Sequence, residues 1–149
     1  MRNAFTIAEL MIVACIIGIL AALVVPMVQH QSTEAKEAAA RDNLRVLRSA
    51  IELYAANNAG TPPGYKDNDR SNAPTGDDFL DQTTITERYM QSMPENPFND
   101  RRSMLVIPDE EAFPSEATGD FGWVYKPSAT VIRLDWRGED DNGIRYFDY

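Results

Sequence analysis

A single carboxylate, Glu9, stands one turn inside a run of apolar residues that begins at Phe5 and continues to Val28. The chemistry open to it is ion pairing. An unpaired carboxylate in hydrocarbon costs about 2.5–3.5 kcal/mol on insertion scales, so Glu9 calls for a partner or a function, unless it snorkels toward lipid headgroups. The other reactive side chains offer less. Cys15 has no second cysteine to pair with and lies in the apolar run, where a thiol behaves as a small hydrophobe. His30, the one histidine, follows that run with no second His or Cys near it to complete a transition-metal site. A Ser, His and acid set cannot be built around it, and zinc, phosphate-loop and dinucleotide motifs are missing from the sequence. Asp140 and Asp141 are sequence neighbours that would point to opposite faces of a strand, so they do not form an acid–base pair. Trp123 and Trp136 alternate with strand residues and read as sheet packing rather than a sugar platform. The sequence therefore describes a non-enzyme.

The element that carries Glu9 is the most informative part of the chain. From Leu10 to Val28 there are 19 residues without a charge, and as a helix they span about 28 Å, close to the hydrocarbon thickness of a bilayer. Arg2 and the initiating amine favour leaving the N-terminal end in the cytoplasm and placing the rest outside it. A cleaved secretory signal, a permanent anchor and a helix that later changes environment all begin this way. A secretory signal normally ends its shorter apolar region at a small-x-small cleavage site, which is missing here. Instead the helical pattern continues through Ala35, Ala38, Ala39 and Arg41, and Leu44, Leu47, Ile51 and Tyr54 recur at 3–4–3 spacing. Pro26 removes a donor and is expected to kink or loosen the helix, although membrane helices also tolerate proline.

Length and charge bound the remainder. The 149 residues suffice for one modest domain and one extended element. Of 23 acidic and 14 basic residues, residues 1–59 hold five of each, and the whole net charge of −9 falls on residues 60–149. A head of that sign repels phosphates and anionic headgroups, which disfavours nucleic acid as a partner. Solubility is the ordinary role of such a surface.

The helix is expected to stop at Asn57-Asn58-Ala59-Gly60, where Asn and Gly favour left-handed capping geometry and Pro62-Pro63-Gly64 prevents resumption. One helix from near Phe5 to near Asn58 would be about 80 Å long. Residues 60–78 read as a loop, and residues 81–93 as holding a short helix with Thr84 or Thr86 near its start and Pro94 past its end. Met104–Ile107, Phe121–Tyr125 and Val131–Trp136 read as strands, the last two joined by a hairpin at Lys126–Thr130. The predicted fold is α+β: a long N-terminal helix whose apolar half protrudes and whose amphipathic half, through Leu44, Leu47, Ile51 and Tyr54, covers a small antiparallel sheet.

The string Ala4-Phe5-Thr6-Ile7-Ala8-Glu9-Leu10-Met11-Ile12-Val13, followed by Ile16-Ile17-Gly18-Ile19-Leu20-Ala21-Ala22 and Pro26, closely resembles the N-terminal signature of type IV pilins and type II secretion pseudopilins. The resemblance covers residues 4–31, about a fifth of the chain. It implies a type IV pilin fold and three regions: a leader peptide at 1–4, an apolar transmembrane and filament-core helix at 5–31, and an extracytoplasmic head at 32–149. It also implies cleavage between Ala4 and Phe5 by a prepilin peptidase, with methylation of the new Phe5 amine. Ala4 stands where the family usually has Gly, and Ile7-Ala8 where Leu-Ile is commoner. Glu9 would pair with the Phe5 amine of a neighbouring subunit, and Gly18 and Pro26 mark the places where local melting is expected in a filament.

A weaker likeness, carried by Met93-Pro94-Glu95-Asn96-Pro97-Phe98-Asn99, by Gly122-Trp123-Val124-Tyr125 and by the Tyr-rich end, favours the major pseudopilins. The implied function is a structural subunit of a type II secretion filament: a homopolymer assembled by an inner-membrane platform with minor pseudopilins, held in the inner membrane beforehand and then carried into the periplasm or to the cell surface. A pilin for adhesion or motility is an alternative, as is a non-assembling bitopic protein whose head binds a ligand or ion. Major pseudopilins often bind calcium in a C-terminal loop. Asp135, Glu139, Asp140, Asp141 and Asn142 offer hard oxygen donors of the type calcium needs, at a spacing unlike an EF-hand, with a solvated acidic turn as the other reading.

Overall fold

The structure is a computed structural model that describes residues 6–84 and 89–149, with the side chains of residues 23–30 outside the described set. It divides into two compact units, Met1–Lys36 and Glu37–Tyr149. Helix α1, Ile7–Asn57, is continuous through Gly18 and Pro26 and supplies elements to both units. In the first unit its large apolar residues are uncovered: Ile7 is 80% exposed, Leu10 67% and Leu20 56%. Among the described residues no helix is long and apolar enough to cross a membrane. The 19-residue uncharged run of the sequence extends into residues 23–28, which lie outside the described side chains.

The second unit is built on the other end of α1. Ala40, Leu44, Leu47, Ile51 and Tyr54, spaced by four, three, four and three, are all buried, because such spacing lays them along one helix face. That face is the one the sequence predicts, extended one turn earlier by Ala40. The helix ends in a Schellman-type turn, the Gly60 N–H reaching the Ala55 carbonyl at 2.8 Å. Ala59, rather than an Asn or Gly, takes the left-handed position at φ +53°. Asn57 and Asn58 serve differently, their side-chain amides donating to the Leu53 and Tyr54 carbonyls.

Three strands follow: β1 Met104–Val106, β2 Trp123–Lys126 and β3 Val131–Leu134, in the spatial order β1-β2-β3. β2 and β3 form the expected hairpin, with a 3₁₀ turn at Pro127–Ala129 between them. Trp123, Tyr125, Ile132 and Leu134 alternate onto one face and join the α1 residues in the main core. β1, however, runs parallel to β2, so the sheet is mixed rather than antiparallel. The segment from 107 to 122 is long enough to carry the chain back across the sheet, as a parallel connection requires. Gly122 permits the entry into β2. A Cβ there would lie 2.3 Å from the Arg101 carbonyl oxygen, closer than any side chain tolerates.

Two further features depart from expectation. Helix α2 spans Gly76–Thr84, earlier than predicted, within and just after the segment read as loop. Its start is a threonine N-cap: the Thr75 hydroxyl accepts the Asp78 N–H at 3.1 Å and donates to the Asp78 carboxylate, while the Thr75 N–H goes to the Gly64 carbonyl at 2.8 Å. Residues 85–88, where Thr86 would have started a helix, lie outside the described residues. The second sheet face also has its own small core. Ile107, Ala117, Val124 and Phe147 are buried there, flanked by Leu105 and Phe113.

Truncating Leu47, which is fully buried, should cost about 3 kcal/mol, the middle of the range for Leu→Ala in a core. Val46→Ala, at a position 42% exposed on the same helix, should cost less than about 0.5 kcal/mol. Urea denaturation of the two variants distinguishes the faces; equal losses would mean that α1 is not covered along the Leu44–Tyr54 stripe.

Candidate functional site

The helix start is organised by two side chains. The Thr6 N–H and hydroxyl each donate to Glu9 Oε2 at 2.8 Å, and the Thr6 hydroxyl accepts the Glu9 N–H at 3.2 Å. This is a capping box of the T-x-x-E kind, which satisfies helix donors that otherwise have no partner. Its signal, Thr6-Ile7-Ala8-Glu9, lies in the sequence at the start of the apolar run. Both bonds to the carboxylate fall on Oε2; among the described residues Oε1 accepts none. Glu9 is exposed, and its second oxygen faces whatever surrounds the helix. Ala4 and Phe5, the expected processing site, lie outside the described residues, as do the side chains of Pro26 and His30. Gly18 lies in uninterrupted helix with open space around it.

The five residues considered as calcium donors divide between separate networks. Asp135 is fully buried. Its Oδ1 accepts the backbone N–H groups of Thr118 and Gly119 at 2.7 and 3.1 Å, and its Oδ2 the Thr118 hydroxyl and the Phe121 N–H at 2.8 and 2.9 Å. Four donors fill the four lone-pair positions of a carboxylate. Asp135 thus uses all four acceptor positions to fold the 118–121 loop against the entry to β2.

Asp140 is filled in the same way. Its Oδ1 accepts the N–H groups of Asn142 and Ile144 at 2.9 and 3.0 Å; its Oδ2 takes the Arg41 guanidinium and the Tyr149 hydroxyl, both at 2.9 Å. Asp141, its neighbour, is exposed, and Glu139 pairs through its backbone with Arg145. As ligands of one cation these residues do not fit together in this arrangement, since Asp135 and Asp140 would have to release N–H donors first. Among the described residues no group of three or more His, Cys, Asp or Glu side chains is gathered for a metal.

What Asp140 does instead is hold the chain's last segment on α1. Arg41 reaches Asp140 from the helix, donates to the Tyr149 hydroxyl at 2.6 Å, and lies over the Tyr149 ring at 4.3 Å from its centroid. Glu37, one turn earlier, accepts the Tyr146 hydroxyl at 2.9 Å. Arg48, two turns later, donates to the Tyr149 backbone oxygen. Burial and the Glu37 carboxylate push the Tyr146 phenol up to about 12, so it stays a donor at any physiological pH. The Ile144 N–H, with the Tyr149 hydroxyl, the Asn142 N–H and Arg41, holds Asp140 below its ordinary 3.8. These partners lie about a hundred residues apart, beyond the reach of any local sequence pattern.

The Met93–Asn99 stretch is structural too. The buried Asn96 amide donates to the Gly122 carbonyl at 3.1 Å, and the Pro94 carbonyl accepts the Trp123 indole N–H at 3.0 Å. Trp123 is fully buried, and Trp136 stacks on Phe98 with centroids 5.9 Å apart. Both tryptophans pack, Trp123 from β2 and Trp136 from just beyond the end of β3.

Because the folded pKa of Asp140 lies below its unfolded value of 3.8, its stabilisation is complete above that pH and is lost as pH falls through the lower folded value. Amide exchange at Asn142 and Ile144, corrected for intrinsic rates, should therefore quicken on acidification in that window. Asp140→Asn should show fast exchange at neutral pH already; an unchanged neutral rate would sink the role given to this carboxylate. Asp135→Ala strands three N–H groups and should cost roughly 3 kcal/mol in urea denaturation. A loss below about 0.5 kcal/mol, the level of a surface substitution, would contradict the four-bond geometry.

Comparison with known proteins gives one partial likeness. The chain is 38% identical over 61 residues to Type II secretion system core protein G of Pseudomonas aeruginosa (strain PAO1), a stretch that makes up 41% of this chain and 43% of that protein. The chain thus spans less than half the length of the curated relative it matches. No family model matches the chain, and no solved structure matches it significantly. Over that stretch the chain is similar to a type II secretion core protein, and its long helix and small three-stranded sheet make the α+β fold consistent with a pilin-like architecture.

Proposed function

We propose that this chain is a non-catalytic structural subunit of a pilus-like filament, and more narrowly a major pseudopilin of a type II secretion system. The observation that carries the reading is the uncovered apolar stretch of α1, where every large hydrophobic residue described from Ile7 to Leu20 is between 49% and 80% exposed. A contiguous apolar surface of that size marks a membrane or protein interface. Lipid serves before assembly, and identical helices of other copies serve after it. The likeness to a type II secretion core protein supports the narrower reading.

On this proposal the apolar helix waits in the inner membrane with its N-terminus in the cytoplasm and its head outside. A prepilin peptidase removes residues 1–4, and methylated Phe5 then presents a cationic amine. Glu9 of one subunit meets that amine on its neighbour. Among the described residues both bonds to the carboxylate fall on Oε2, an arrangement that lets Oε1 take the amine while the Thr6 bonds are kept. A lone charge among apolar helices is costly, and removing one member of a buried pair typically costs about 3–5 kcal/mol, so the pairing fixes the register. The assembly platform and minor pseudopilins would be the other partners, and the acidic head disfavours nucleic acid.

Two measurements test this. Mass analysis of the mature chain should find methylated Phe5 at its N-terminus. Electron microscopy should count filaments reduced at least tenfold for Glu9→Ala at equal membrane-inserted protein, a conservative share of the 3–5 kcal/mol. A mature chain retaining Met1–Ala4, or abundant filaments from Glu9→Ala, would overturn the proposal and favour a bitopic protein acting as a monomer.

A further inference from the structure

The head separates its charges along α1, and that separation has a geometric consequence. A groove of about 620 Å³ runs beside the helix, lined by Arg41, Arg45, Arg48, Leu44, Ile144 and Tyr149 among others. The three arginines occupy positions i, i+4 and i+7, one face of the helix. Arg41 and Arg48 are engaged with Asp140 and with the Tyr149 backbone oxygen. The groove's acids include Asp148, which is held by Arg133 and Arg145 at 3.0 and 2.6 Å, and Glu52. Arg45 differs from its neighbours. Its side chain is 85% exposed, and its partner is Asp42, itself 70% exposed and 3.9 Å away, a pair worth little in water. Beside it Ile144 is 49% exposed, so the groove offers a solvated cation next to an apolar wall.

The anions that complement it are on the same chain but out of its reach. Residues 60–149 carry the entire net charge of −9. Within them Asp109, Glu110 and Glu111 are consecutive, and Glu110 and Glu111 are exposed. Asp109 accepts the Tyr65 hydroxyl at 2.8 Å, and Asp109 and Glu110 border the loop of residues 70–74 in a common cleft. That loop follows the C-terminal end of α1, to which Arg70 ties it by donating to the Gly60 carbonyl at 2.8 Å. Arg45 lies 12 residues before Asn57, about 18 Å earlier along the helix axis. The acidic run therefore sits at one end of the head's helix and the arginine groove well back from it.

We infer that the Arg41–Arg48 groove docks the Asp109–Glu111 segment of a second copy of this chain. The complementary patches are different surfaces, so the contact is heterologous, and a heterologous contact that does not close generates an open array rather than a dimer. The inference rests on the filament reading and deepens it. It adds a charge contact between heads to the pairing of Glu9 at the helix start, and Arg45 is its centre. Opposite charges meeting across an interface set register and suppress wrong partners.

The test uses full-length chains in which Cys15→Ala removes the native thiol. Arg45→Cys together with Glu110→Cys, treated with a short bis-maleimide in membranes, should give a ladder of dimers, trimers and higher species. Each single substitution alone should stay monomeric, and the two single variants co-expressed should stop at dimers. Independently, Arg45→Glu should lower filament number roughly fivefold, and adding Glu110→Arg should restore most of it, as expected when a like-charge clash is created and then removed. Filaments without a ladder would overturn the docking and leave the filament reading standing. A ladder without filaments would support the docking and overturn the filament reading. Neither would overturn both.

Discussion

The constraint on which the rest depends is the continuity of α1. One helix carries two apolar surfaces with different demands, and only one of them is met within the chain. Around Ala40–Tyr54 the buried residues form a single stripe at heptad-like spacing, which a twisted three-stranded sheet can cover. Around Ile7–Leu20 the apolar residues surround the helix and, among the described residues, are left exposed. A stripe needs one partner on one side. A helix apolar all round needs an apolar solvent or several copies of itself. The division of the chain into two units near Lys36 falls between these regimes.

Given that stripe, the head is assembled largely through buried polar groups that fix loops. Asp135 gathers the 118–121 loop, Asn96 holds the Met93–Asn99 stretch to Gly122, and Asp140 ties the end of the chain to Arg41. Among the described residues no buried side-chain nitrogen or oxygen lacks a partner. This matters because a sheet of three short strands presents little ladder of its own. With few strand–strand bonds, long connections must be held by side chains, and each buried carboxylate is stable only when donors fill it.

Much of this was legible in the residues themselves. The periodicity of Leu44, Leu47, Ile51 and Tyr54 predicted the covered face, and alternation predicted β2, β3 and their hairpin, because both depend on local spacing. The direction of β1 was not legible, since strand pairing across the 107–122 segment is a long-range choice to which Met104–Val106 contribute the same apolar pattern either way. The start of α2 was legible in principle: in Thr75-Gly76-Asp77-Asp78 a threonine N-cap with acids in the first turn is hidden among loop-forming residues. The acidic residues near the C-terminus were legible only as composition. Asp135 and Asp140 look alike in sequence to Glu139 and Asp141, and burial alone separates structural anions from solvated ones.

The three principal carboxylates show how one functional group is put to different uses by the number of donors around it. Asp135 and Asp140 each accept four hydrogen bonds and have no capacity left, so they can only hold what they already touch. Glu9 accepts two, both on Oε2 from Thr6. Among the described residues its other oxygen accepts no bond. A carboxylate that is half filled at the start of an apolar helix is already oriented by its cap, so less conformational freedom has to be surrendered when a partner arrives. Saturation fits the head carboxylates for holding a fold, and the Thr6 cap fixes Glu9 at the start of the helix.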